Sequence, residues 1–160
     1  FKMLRFTILF TAFALLSACA STIKTRHNMT VFALRLGPGQ DLKKELDAFA
    51  RANQLQAGFI VTCVGSLRKA SIRPANQQTP LTREQKFEIV SLVGTLSPDG
   101  SHLHIALSDS TGATLGGHLL EGNLVYTTAE IVIGEAENYR FKREIDPATT
   151  FRELKVERRE

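Results

Sequence analysis

Tryptophan is absent from the 160 residues, and cysteine, methionine and tyrosine occur only twice each. The shortage of cysteine is the most restrictive of these. If Cys19 is consumed by the processing argued below, only Cys63 remains and no intrachain disulfide can form. Cys63 sits in the apolar run Phe59-Ile-Val-Thr-Cys-Val64, where a small buried core residue is expected rather than a nucleophile. An excess of one charge is missing too. The formal net charge is +4, and without Lys2 and Arg5 the balance is 18 basic against 16 acidic residues, too even to argue a nucleic-acid partner. Acids and bases are interspersed, as in Asp41-Leu-Lys-Lys-Glu45, which reads as a solvated mixed surface. No Gly-x-Ser-x-Gly is present, and Gly37-Pro38-Gly39 lacks the spacing of a dinucleotide fingerprint or a P-loop. Internal repeats and low-complexity tracts are also missing.

What is present begins with an address. Met3-Leu4-Arg5 is a short basic start, residues 6–16 form an apolar run, and Leu16-Ser17-Ala18-Cys19 closes it with small residues before a cysteine. The run is too short to span a bilayer and has the proportions of a signal-peptide core. The ending resembles the lipobox of bacterial lipoproteins, which implies cleavage before Cys19, lipid on its sulfur and a protein anchored to a membrane of the bacterial cell envelope on the periplasmic side. The alternative is synthesis from Met29, which would leave the chain in the cytoplasm.

The remaining length suits a single domain, and 43% hydrophobic residues supply a core. The expected division is a signal peptide over 1–19, a polar tether over 20–29, a domain over 30–146 and a charged tail over 147–160. Residues 41–54 carry the convincing helical stripe, with Leu42, Leu46, Phe49 and Ala50 on one side and Asp41 suited to the N-terminal end. Strand-like runs are expected at 31–36, 58–64, 70–73, 87–96, 102–108, 114–119, 124–133 and 139–145, with a polar loop over 74–84. Gly65 marks a bend. Many short strands with tight turns around one amphipathic helix argue an α+β domain with a mostly antiparallel sheet.

Three of the four histidines, His102, His104 and His118, lie within 101–123. His-x-His on a strand points both rings to one face. If Ser110-Thr111-Gly112 is a three-residue hairpin loop, Asp109 pairs with Ala113 and His104 with His118, so all three rings share that face. A four-residue loop over 109–112 puts His118 on the other face. The preceding turn, Pro98-Asp99-Gly100, is read as another three-residue loop that pairs Leu96 with His102 and Gly94 with His104. Leu103, Ile105, Leu107, Leu115 and Leu119 occupy the reverse face and are assigned to the core. The histidine face should look outward or toward another subunit. Three neutral imidazoles from adjacent strands match a tetrahedral zinc site with one open position, and such a metal supports hydrolysis or hydration chemistry. Glu121 is the candidate catalytic carboxylate or partner to a ligand, with Glu130 a weaker one. His27, in the tether, is at most an adventitious ligand.

Four ordered segments, Val31-Phe-Ala-Leu-Arg-Leu-Gly-Pro-Gly-Gln-Asp-Leu42, Phe87-Glu-Ile-Val-Ser-Leu-Val-Gly-Thr-Leu96, His102-Leu-His-Ile-Ala-Leu-Ser-Asp109 and Gly116-Gly-His-Leu-Leu-Glu-Gly122, resemble the plant-and-prokaryote-conserved (PPC) domain, DUF296. The resemblance covers about residues 30–145. It implies an antiparallel sheet wrapped on one long amphipathic helix, a homotrimer, and a histidine cluster able to hold a divalent metal, which maps to His102, His104 and His118. It also carries the DNA-binding label of the family. The Gly-Arg-Pro core of the AT-hooks joined to plant relatives is lacking here, because the only Arg-Pro is Arg73-Pro74, and a lipid anchor would keep the domain away from DNA. Substrate or small-molecule ligand does not follow from any of this.

Overall fold

The computed structural model describes residues 28–159. Strand β1 (Met29–Leu36) leads through the Gly37-Pro38-Gly39 turn to helix α1 (Leu42–Ala52), and eight strands follow. They are β2 (Gly58–Arg73), β3 (Leu81–Arg83), β4 (Phe87–Ser97), β5 (Gly100–Ser108), β6 (Thr114–Leu119), β7 (Leu124–Ala136), β8 (Tyr139–Ile145) and β9 (Arg152–Arg158).

Seven strands form one antiparallel sheet in the order β1-β7-β2-β4-β5-β6, with β3 paired to the end of β2. Strand β6 then returns to β2, setting Leu119 opposite Ile72 and His118 opposite Arg73. The sheet therefore closes on itself, and the core sits inside the closure. Leu67, Ile72, Phe87, Leu103, Leu107 and Leu119 are all fully buried there. A period-two pattern on each strand sends one set of side chains inward and the other out. The residues expected to back the histidines, Leu103, Ile105, Leu107 and Leu119, are in this core, with Leu115 packed against it.

The expectation of a sheet wrapped around one long helix is corrected by these elements. The helix has 11 residues, about 16 Å of length, whereas β2 has 16 residues and spans roughly 50 Å if straight. A cylinder so short covers one patch over β4 and β7, and the sheet must bury most of its own apolar face. Sequence pattern overran the C-terminus because the stop signal is unusual. Gln54 adopts φ 56° where glycine is the common choice. Leu55 N–H donates to Ala50 O at 3.0 Å and Gln54 N–H to Arg51 O at 3.1 Å, closing the helix as a Schellman motif. The fully buried Leu55 follows it.

Asp41 starts the helix and ties it to the sheet. Its Oδ1 accepts from Lys43 N–H and Lys44 N–H, the N-cap arrangement, and its Oδ2 accepts from Gly122 N–H at 2.6 Å. The β6–β7 turn is fastened further by Asn123, a fully buried amide. Asn123 Oδ1 accepts from Ser71 N–H, and its Nδ2 donates to Ser71 O and Leu120 O. The side chain thus substitutes for a piece of strand where β6 meets β2.

Two stretches differ from their sequence expectations. Residues 58–73 form one strand, not two. Gly65, at φ +143°, lies in a register shift against β7, and a Cβ there would stand 2.1 Å from Thr128 O. Residues 147–160, expected as a tail, contain β9, which pairs with β8 from Tyr139↔Arg158 to Ile145↔Arg152. This hairpin lies against β4 and the turn after it: Arg143 Nη2 donates to Thr95 Oγ1 at 2.9 Å and Arg143 N–H to Asp99 Oδ2 at 3.0 Å. No helix among the described residues is long and apolar enough to cross a membrane. Cys19 and His27 lie outside the described residues.

Candidate metal centre

Hairpin β5–β6 carries the site. Its loop is the three-residue one: Asp109 N–H donates to Ala113 O at 3.0 Å, Gly112 N–H to Asp109 O at 3.0 Å, and Gly112 takes φ +84°. The Asp109 carboxylate accepts from the Thr111 hydroxyl, Thr111 N–H and Ala113 N–H. The hydroxyl contact leads in holding its pKa below the usual carboxylate range. This turn sets Ser108 opposite Thr114, Ala106 opposite Gly116 and His104 opposite His118, so the three histidines share a face.

Hairpin β4–β5 differs by one residue from the expected register. Pro98 and Asp99 make a two-residue loop, because Gly100, at φ +110°, already pairs with Ser97. Thr95 therefore faces His102, and Val93 faces His104. Gly94 falls opposite Leu103. Its φ is +137°, and an added Cβ would lie 2.0 Å from His102 O, so it permits close strand approach and does not open space around His104.

The ring centroids of His102 and His104 are 5.0 Å apart, those of His102 and His118 5.1 Å, and those of His104 and His118 5.5 Å. His102 Nε2 and His104 Nε2 are 3.2 Å apart, and one ring nitrogen from each of the three lies within 4.8 Å of the others. Burial, followed by the positive neighbours His102 and Arg73, pushes the pKa of His118 down to about 4. His102 is lowered as well, by burial first and by Arg143 second. Both rings are therefore neutral near pH 7, the form that ligates metals.

A tetrahedral zinc about 2.0–2.1 Å from each nitrogen puts its ligand atoms roughly 3.3 Å apart. The His102–His104 spacing fits that, and His118 Nδ1 is buried with no hydrogen-bond partner among the described residues. One contact opposes it. Arg143 Nη1 is 3.2 Å from His102 Nδ1, and arginine only donates, so neutral His102 carries its proton on Nε2. Ligation through Nε2 requires that proton to move to Nδ1 and Arg143 to turn aside.

The two carboxylates expected near the histidines are elsewhere. Glu121 is exposed and pairs with Lys44 Nζ at 3.3 Å, at the start of α1. Glu130 is exposed on β7, opposite Arg35 of β1 and Val64 of β2. The acid that lines the site is Glu153, on β9. A hollow of about 360 Å³ is bounded by Arg73, His102, His118, Arg143, Arg152 and Glu153. A second, of about 300 Å³, lies on the His104 side, and His102, Arg143 and Glu153 line both. The overlooked signal is the alternation of Leu154 and Val156 after the Asp146-Pro147 turn, which marks a strand returning to β8. Cys63 is buried, which raises its thiol pKa to about 12, in keeping with an inert core residue.

Residues 23–137 match the family described as the Plants and Prokaryotes Conserved (PCC) domain. The chain belongs to that family. Within its PPC domain lie all three histidines, whereas β8 and β9 begin beyond the matched residues. The bifunctional protein GlmU of Synechococcus sp. (strain JA-3-3Ab) is 51% identical over 131 residues, 82% of this chain but 21% of that one. The PPC chain thus spans about a fifth of the curated relatives it matches. Among solved structures, a hypothetical protein from Salmonella enterica is 41% identical, with TM-score 0.82 over 84% of this chain and 98% of the other. The metal-containing protein AF0104 of Archaeoglobus fulgidus is 24% identical, with TM-score 0.71 over 83% and 99%. A candidate DNA-binding protein from Bacteroides thetaiotaomicron is 22% identical, with TM-score 0.69 over 82% and 98%. The last two likenesses show the fold.

Proposed function

We propose that this PPC protein binds a divalent metal, zinc by the chemistry of its ligands, through His102, His104 and His118, as a homotrimer tethered to a membrane of the cell envelope through lipid on Cys19. The convergence of three imidazoles carries the metal reading. Two ring nitrogens stand 3.2 Å apart, and a third ring has a buried nitrogen without a partner among the described residues. The presence of metal in the Archaeoglobus neighbour is consistent with it. Bound there, zinc would supply Lewis acidity to an oxygen in its open position, the basis of hydration or hydrolysis. In this reading Glu153 replaces Glu121 as the nearby carboxylate, because it lines the hollow.

Elemental analysis of protein purified without chelator tests the centre. About one zinc per chain is expected, with loss of bound metal in His104→Ala; wild-type metal content in that variant would reject the triad. Lipid on Cys19 by mass spectrometry of the mature N-terminus tests the tether, and an unmodified chain beginning at Met29 would reject it.

The name of the Bacteroides neighbour supplies a second reading, DNA binding. Salt-dependent retention of a duplex by the purified domain, with a steep slope, would favour it over the metal reading.

A further inference from the structure

Three guanidinium groups face the hollow beside His102 and His118, with Glu153 the only acid among its lining residues. None of Arg73, Arg143 and Arg152 forms an ion pair among the described residues. Glu153 accepts instead from the Thr149 hydroxyl. Arg143 is half-buried. Its hydrogen bonds go to Thr95 Oγ1, His102 Nδ1 and Arg152 O. Three of its five N–H groups are thereby used, which leaves two, one on Nε and one on Nη2, without a partner among the described residues. Arg73 stands beside His118 on the neighbouring strand, and no hydrogen bond of its side chain is formed among the described residues. Phe151, 70% exposed, lines the same hollow.

The bland account makes Arg143 a strut that holds β8–β9 against β4. A strut alone, however, does not account for three guanidinium groups lining one hollow with a single carboxylate, where half-buried Arg143 gives up part of its hydration at a cost. An oxyanion would remove that cost and use the free donors, because guanidinium forks match carboxylate and phosphate geometry. A divalent ion on three neutral histidines would only add positive charge to the same wall. The aromatic edge at Phe151 suits an organic body attached to the anionic head.

We propose that the hollow binds a small organic oxyanion, its carboxylate or phosphate head gripped by Arg73 and Arg143 beside His118 and its apolar part against Phe151. The proposal deepens the metal reading, since His102 and His118 line the same hollow, but the arginine grip stands without it. Arg143, on β8, and Phe151, next to β9, lie outside the residues matched to the family, whereas Arg73 and His118 lie within them. The proposed site therefore joins residues of the matched domain to residues of the hairpin that follows it.

Calorimetric titration of the full, zinc-loaded chain at fixed ionic strength tests it, with phenylphosphonate and benzoate as the two anionic probes and benzyl alcohol as the uncharged control. At least one anion should bind ten or more times tighter than the alcohol, and the order of the two distinguishes a phosphate from a carboxylate ligand. Arg143→Gln and Arg73→Gln should each weaken that anion by about ten- to a hundredfold, with zinc content unchanged in Arg73→Gln, and Arg143→Lys should recover part of the loss. Anion binding no tighter than the alcohol, or equal in both glutamine variants, overturns the proposal. Arg73 is exposed, so its variant remains informative if Arg143→Gln fails to fold. Chain that holds no zinc yet binds the anion through both arginines would remove the metal reading alone; full zinc with no anion preference would remove this one alone.

Discussion

Gly94 has no room for a side chain. Its φ of +137° belongs to glycine, and a Cβ would meet His102 O at 2.0 Å, so any substitution must move the strand that carries the histidines. Gly94→Ala is expected to cost about 1–3 kcal/mol or more, read from the urea midpoint, and an unchanged midpoint would show that β4 can relax. The same scale explains why the histidines form a group. His102 and His104 are placed by strand alternation, and His118 is placed by the αL conformation of Gly112 in a loop braced by Asp109. Burial then keeps His118 neutral well below the ordinary histidine range.

Elements depend on one another through a few buried polar contacts. Asn123 is the clearest case, with three hydrogen bonds that replace backbone pairing between β2 and the end of β6. Asn123→Ala leaves Ser71 N–H, Ser71 O and Leu120 O without that partner, and a buried unmet group costs about 1–3 kcal/mol. A loss of roughly 3 kcal/mol is expected by denaturant unfolding, together with weaker metal retention, because β6 holds His118. A variant as stable as wild type would mean that water replaces the amide. Helix α1 is bound to the same corner by Asp41, whose carboxylate serves both the helix N-terminus and Gly122.

Across the whole molecule, the outer face of β2 and β4 is apolar where a monomer would be expected to show polar groups. Val61, Val64, Val90 and Val93 are each more than half exposed. The register that pairs Phe59 with Thr95 and Ser66 with Glu88, carried between those points, sets Val61 beside Val93 and Val64 beside Val90. A continuous apolar patch of this kind marks an association surface, in keeping with the proposed trimer. Sedimentation equilibrium is expected to give three chains per particle, and the double variant Val64→Lys with Val90→Glu, whose new charges can pair across the strands, should give monomers with unchanged circular dichroism. Monomeric wild-type protein would reject the trimer.

Local chemistry determined much of the site's framework. The Asp109 to Ala113 turn, the alternation along 102–108 and the apolar reverse face are set by residues within a few positions of one another, so the His104–His118 pairing is legible before any fold is known. Turn chemistry was ambiguous at Pro98-Asp99-Gly100, since glycine serves a two-residue as well as a three-residue loop, and the neighbours of His102 and His104 shifted from Leu96 and Gly94 to Thr95 and Val93. The length of α1 was misread because Gln54 ends it where glycine was the signal sought. Only tertiary structure decided that the sheet closes on itself and that the β8–β9 hairpin packs against β4, with Arg143 and Glu153 beside the histidines. Those placements depend on strands far apart in sequence meeting at particular edges, a long-range choice that no local period or motif encodes.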